Sequence, residues 1–376
     1  MAIVLVLVIL FFYCTTHKAI LLPQNINNLL SQNAYVFVLA VGMLLCILTG
    51  GNIDLAVGSV VCFAGGVGGV LLDKNVNFIT AAIAMLVIGA LVGMWQGFWI
   101  AFVNVPPFIA TLAGMYAFRG LSNVVLGGQA INLSTETAFL NTFGGGATCY
   151  IPDFFKGTTL NITCLLAGVI GVVVYIFMTV KSRANSKKRG YETAPLAGTV
   201  IKTVIISAVV LYVTFKLASY QGIPTSLLWV LLVVLVFGYV TEKTRIGRYL
   251  YAVGGNKKAA KLSGVNVKKV YFFAYSFMGL LSGLAGILTI ARAASAQPTY
   301  GLGYEMDAIG ACFIGGASAY GGIGTVPFVI IGALLMGVIN QGMSIMGINA
   351  NYQKIVKGLV LLLAVTFDVL SKKEKK

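Results

Sequence analysis

Long apolar runs separated by short polar joints make up nearly the whole chain. AYVFVLAVGMLLCIL (34–48) and VVCFAGGVGGVLL (60–72) are typical, and several such runs approach the roughly 20 residues a helix needs to cross a bilayer. The pattern predicts spans near 1–16, 33–49, 54–72, 78–101, 107–127, 160–181, 198–219, 223–241, 270–291, 305–321, 325–347 and 352–370. The first run, Met1–Thr15, lacks the basic start and small-residue cleavage site of a signal peptide, so it reads as a span. The expected fold is therefore an all-α polytopic helical membrane protein of about 10–12 transmembrane helices, forming one transmembrane domain over 1–376.

Composition strengthens this reading. Apolar residues make up 59% of the 376 and charged residues only 10%, against about a quarter charged in soluble domains. The net charge of +16 is concentrated in KSRANSKKRG (181–190), in 241–269 and in the tail SKKEKK. Lys and Arg near span ends mark the cytoplasmic side, so the surplus reads as topology and not as a nucleic-acid surface. The six cysteines are scattered, without CxxC spacing, and imply neither a disulfide framework nor a metal site.

Placing all three basic clusters on the cytoplasmic side requires an even number of crossings between them. The short segment 305–321 must then cross, both termini fall inside, and the polar outer loop of about 128–159 faces out. Two stretches also resemble each other. DLAVGSVVCFAGG (54–66) and DAIGACFIGG (307–316) share an Asp, a glycine and Cys-Phe-x-Gly-Gly, and IGALVGMWQG (88–97) echoes IGALLMGVINQG (331–342). By the crossing count the two copies run in opposite directions, as in transporters built from inverted repeats with broken helices. The copies need gaps of different length, so chance similarity stays an alternative.

The stretch TGGNIDLAVGS (49–59) sets an amide and a carboxylate among glycines between two apolar runs. It predicts a helix end at Gly50-Gly51 and a new helix capped by Asn52 or Asp54. The feature is either a well-capped turn or a polar patch beside a conduit, and in both cases the carboxylate must avoid lipid. Further ionisable residues lie in or near spans: Arg119, Arg292, Glu305, Asp307, Lys354 and Lys357. They are functional candidates, although those near span ends can simply snorkel.

Four separated motifs carry a family resemblance: TGGNIDLAVGSVV (49–61), VPPFIATLAGMYAFRGLSNVVLGG (105–128), RIGRYLYAVGGNKKAAKLSGVNV (245–267) and GYEMDAIGACFIGGASAYGGIGTV (303–326). In this order they resemble the permease subunits of bacterial monosaccharide ABC importers, the ribose, xylose, galactose and arabinose group with more distant branched-chain amino acid relatives. The segment around 33–61 is most similar to the xylose or multiple-sugar branch. The resemblance implies a multi-pass protein of the bacterial cytoplasmic membrane, usually of about ten spans. It also implies a second permease copy, two cytoplasmic ATPase subunits and an extracytoplasmic sugar-binding protein.

The chain has no GxxxxGK[ST] phosphate loop, so ATP is expected to be used by a partner and no cofactor to be bound directly; the chain is not expected to be an enzyme. Within the cytoplasmic loop 241–269, Asn256 is a suitable N-cap, Lys257–Ser263 a short helix and Gly264 its C′ residue. The resemblance makes this the coupling helix, with Gly255, Asn256, Lys257, Lys258, Ala259, Ala260, Leu262, Ser263 and Gly264 at the ATPase contact. The paired lysines depart from the acid that often follows the Asn in the family. A basic helix lying on anionic headgroups is the alternative.

A sugar is neutral, so a conduit for it needs amide and hydroxyl partners and smooth walls. Asn52, Asp54, Ser59, Gln96, Asn104, Thr111, Asn123, Asp307, Asn340 and Gln341 are the candidate pathway residues, though polar residues in spans also serve helix packing. Two other classes stay open: an ion-coupled carrier using Asp54 or Asp307, and a passive channel.

Overall fold

The computed structural model describes residues 2–145, 149–155, 160–190 and 195–373. The predicted apolar runs are helices. In chain order they are α1 (Ala2–Thr15), α2 (Pro23–Gln32), α3 (Ala34–Leu48), α4 (Val57–Asp73), α5 (Phe78–Phe98), α6 (Pro107–Leu126), α7 (Thr137–Phe143) and α8 (Ile162–Lys188). They continue as α9 (Leu196–Ala218), α10 (Thr225–Lys243), α11 (Arg245–Gly255), α12 (Lys257–Leu262), α13 (Val267–Ala293), α14 (Tyr304–Ile314), α15 (Val326–Ile345) and α16 (Ala350–Lys373). Two short strands, β1 (Ile131–Asn132) and β2 (Ser295–Ala296), pair antiparallel.

Seven of these helices are long and apolar enough to cross a membrane, and α2 with α3 supplies an eighth as a pair bent by 41°. The other expected spans, α1, α4, α14 and α16, are helical but fall outside this set. α4 has 17 residues and α14 only 11, so at 1.5 Å per residue α14 is about 16 Å long, half a hydrocarbon layer. Each is preceded by non-helical backbone (49–56 and 297–303) that occupies the missing depth. The expectation that 305–321 forms a crossing helix is corrected accordingly: the helix stops at Ile314, and the passage is shared with the turns before it. Within these two segments Thr49, Asp54, Ala56 and Gly301 are buried, whereas Gly50, Thr299 and Leu302 are exposed.

α3 is buried on every side from Val36 to Leu48, as a helix apolar all round must be, and forms the axis of the molecule. α13 packs against it and against α5 through small residues. A Cβ on Gly89 would collide with Gly279 O, and one on Gly93 with Tyr275 O; such close backbone approach is how membrane helices gain contact. α8 and α9 form a peripheral hairpin, joined at Gly168 and Thr214, with most of their apolar side chains facing outward.

The basic segment 241–269 contains α11 and α12, so the polar joint read from the sequence is largely helical. α11 was not anticipated. It seats Gly254 against Leu48 O and Gly322, and its Tyr251 hydroxyl donates to Gly324 O at 2.7 Å. At the opposite face β1 and α7, within the expected outer loop, form a small cap with β2, which follows α13. Residues 146–148 and 156–159 of that loop, and 374–376 of the basic tail, lie outside the described residues.

Candidate translocation site and coupling surface

The stretch 49–59 is built from glycine contacts. Gly50 and Gly51 have φ of 134° and 74°, and a Cβ on Gly51 would strike Ala319 O. Asn52 and Asp54 do not cap α4, contrary to expectation. Ala56 occupies the N-cap position without a side-chain bond. Asn52 instead donates to Thr49 Oγ1 at 3.1 Å. Asp54 accepts from Ala56 N at 2.8 Å, an Asx-type turn two residues earlier than a cap, and is 1% exposed. The carboxylate thus shapes the extended segment that carries the chain to the start of α4.

That start meets the turn that leads into α14. Gly58 lies directly against Gly301, each so close that a Cβ on one would collide with the carbonyl of the other. Glu305 Oε2 lies 2.8 Å from where a Gly58 Cβ would sit. α4 then runs toward the cap, where Gly69 packs on Ala296, whereas α14 runs toward the basic face, where Gly322 N donates to Leu48 O at 3.1 Å. α4 and α14 therefore begin side by side and diverge to opposite faces; Asp54 precedes the first helix by three residues, whereas Asp307 lies within the second. Arg119 holds the second segment in place, donating to Pro298 O at 3.1 Å and Tyr300 O at 2.7 Å; it pairs with neither aspartate.

Around the first break, Gln96 is 0% exposed and neither its amide oxygen nor its nitrogen has a partner. Its nitrogen faces Gly114 of α6, next to Ala56. Ser59 is also buried with an unpartnered hydroxyl. Thr111, one turn before Gly114, is buried and donates to Pro107 O at 2.9 Å. Around the second break, Lys357 Nζ lies 2.9 and 3.1 Å from the two carboxylate oxygens of Asp307, and Tyr35 donates to the same carboxylate at 2.8 Å. Tyr35 stacks on Tyr304 with ring centroids 3.7 Å apart. Beside this group a cleft of about 200 Å³ is lined by Gln32, Asn33, Asn340, Gln341 and Gln353. The Asn340 Oδ1 is buried there without a partner.

The ten candidate pathway residues thus do not share one wall. Asp54, Ser59, Gln96 and Thr111 surround the first break. Asp307, Asn340 and Gln341 belong to the second. Asn52 and Asn104 line a cleft at the basic face, and Asn123 is exposed, donating to Arg119 O at 3.2 Å. Tyr35, Gln32, Asn33 and Gln353 were missed. Gln32-Asn33 is a polar pair between apolar runs, and Gln353 lies one helical turn from Lys357, so both carried a signal.

In the coupling segment the Asn256 side chain accepts from Ala259 N at 3.0 Å, α12 follows, and Gly264 has φ 83°. Ala259, Ala260 and Leu262 do not form one apolar face. Ala260 is 6% exposed and packs inward, while Leu262 is 90% exposed. On a helix, residues four apart share a face, so Lys258 and Leu262 form the free side and Lys257 and Lys261 another.

The comparisons agree with this architecture. The family described as "Branched-chain amino acid transport system / permease component" matches residues 25–365. The xylose transport system permease protein XylH of Escherichia coli (strain K12) is 35% identical over 98% of this chain and 91% of its own length. The XylH of Haemophilus influenzae is 36% identical over 100% and 96%. The ribose import permease protein RbsC of Escherichia coli (strain K12) is 36% identical over 92% and 85%. No solved structure matches. A helical, multi-span architecture with paired broken helices and a sequence match over nearly its whole length lead to one conclusion: the chain belongs to the branched-chain amino acid transport system / permease component family, alongside xylose and ribose transport permeases.

Proposed function

We propose that this chain is the transmembrane subunit of an ATP-driven importer that carries a monosaccharide such as xylose or ribose across the bacterial cytoplasmic membrane. The full-length similarity to xylose and ribose permeases carries the reading. The assembly contains a second copy of the chain, ATPase subunits on the face bearing α11 and α12, and a sugar-binding protein over 128–159 on the other. Residues 1–376 act as one transmembrane domain, with 241–269 and both termini in the cytoplasm.

The geometry suggests how force enters. α12 is a capped, exposed lever joined to α11 through the extended Asn256, and α11 is seated on Leu48, Gly322 and Gly324. A push on Lys258 and Leu262 therefore reaches the inner end of α3 and the loop after α14 together. Those elements bracket the Gly58–Gly301 contact that closes the middle. Buried amides and hydroxyls without partners cost about 1–3 kcal/mol each, so Gln96, Ser59 and Asn340 are best explained by a partner they meet in another state, such as a sugar hydroxyl.

Asp54, a buried carboxylate with no cation beside it among the described residues, favours a second reading, an ion-coupled carrier. Reconstitution separates the two. The chain with its ATPase and binding protein in proteoliposomes should accumulate labelled xylose or ribose only with ATP. Accumulation by the chain alone, driven by a proton or sodium gradient, would overturn the importer.

A further inference from the structure

A cleft of about 520 Å³ opens on the basic face between α12, the start of α13 and the end of α5. Lys257, Lys261 and Lys268 line it together with Asn52, Asn104 and Tyr271, and its lining contains no Asp or Glu. The ion pair found among the described residues, Lys357–Asp307, lies elsewhere, so these three ammonium groups face one another without a counter-charge. Lys257 is held in place over the Tyr271 ring at 5.0 Å.

The other wall is apolar and irregular. Trp99–Val103 forms a single π-helical turn, a feature frequent at functional sites, and ends at Asn104 with φ 64°. Ile100 and Ala101 of this turn and Val105 and Pro106 just after it line the cleft, while Phe98, Trp99, Phe102 and Val103 are exposed. Cations, amide donors and an apolar flank thus meet where a transmembrane helix leaves its apolar zone. That combination suits an amphiphile bearing a phosphate: the lysines pair with the anion and the outward ring cluster lies along acyl chains.

We propose that this cleft binds the phosphate of an acidic glycerophospholipid such as phosphatidylglycerol, and that the bound headgroup ties α12 to the π-helical turn and to Asn52 of the first helix break. Lys258 and Leu262, on another side of α12, stay free for a protein partner, so lipid and partner occupy the lever at once. The proposal does not depend on which solute is carried.

Native mass spectrometry of the full chain in detergent tests it, with phosphatidylglycerol and phosphatidylcholine of matched chains as probes. The wild type should retain phosphatidylglycerol selectively. Combined Lys257→Gln, Lys261→Gln and Lys268→Gln should weaken retention roughly a hundredfold, at about one kcal/mol for each lysine near a headgroup. Removing equal charge at Lys181, Arg189 and Lys243, which line a separate basic cleft, should leave it unchanged. Lys261→Glu, a single exposed change, serves if the triple variant misfolds. Equal retention by wild type and lysine variants, or no preference over phosphatidylcholine, overturns the proposal. Displacement of the lipid by millimolar inorganic phosphate, with the same lysine dependence, overturns the lipid source and assigns the cleft to free phosphate.

Discussion

Asp307 and Lys357 show why ionisable residues in apolar surroundings require partners. The carboxylate is 2% exposed and the lysine 20%, so each depends on the other for solvation. Breaking such a pair leaves an uncompensated buried charge, at a cost of about 3–5 kcal/mol. Lys357→Ala should therefore lower the thermal midpoint of the detergent-solubilised protein sharply, and adding Asp307→Asn should restore most of it. Failure of the second change to rescue would mean that the ammonium matters through packing. Gly58 makes a second point at this scale. A Cβ there would meet backbone, which cannot yield as a flexible side chain does, so Gly58→Val should cost about 1–3 kcal/mol or more, read as lost monodisperse protein on size exclusion. The sequence marked Asp307 as special but not its partner, because Lys357 lies 50 residues away and near a span end, where snorkelling explains a lysine equally well.

Helix positions were largely legible, because 20-residue apolar runs leave few alternatives to a transmembrane helix. Helix ends were less so. Asn52 and Asp54 have the residue types of N-caps, yet α4 starts three residues after Asp54, since the chain must first run extended past Met43, whose sulfur Asp54 N approaches at 3.5 Å. The cap of α12 was legible, because Asn256 and Gly264 bracket seven residues, six of them helical, with nothing else to decide the ends. Its buried side was not: that depends on where α11 and α13 lie. This distinction predicts different phenotypes. Leu262→Glu should leave folding intact and abolish ATP-coupled uptake in reconstituted vesicles, whereas Ala260→Glu should destabilise the protein itself. Normal coupled uptake with Leu262→Glu would remove the lever from the mechanism.

Across the whole molecule, the crossing count required 305–321 to pass from one face to the other, and the chain does so by turns followed by a half-helix. Charge parity carries no information about how such a stretch divides between helix and turn. The same count predicts sidedness. In intact cells a membrane-impermeant thiol reagent should leave a cysteine at Ser263 untouched and label one at Ser134; the reverse would invert the proposed orientation. Native cysteines are buried apart from Cys14, so the background is low.

The hydrogen bond from Gly322 to Leu48 and the packing of Gly50 on Gly321 fasten the two broken-helix units at the basic face. A clasp at one end dictates how the whole can swing. Under the proposed function, cargo leaving on that side would first part this row of side-chain-free residues, which tolerate no added bulk.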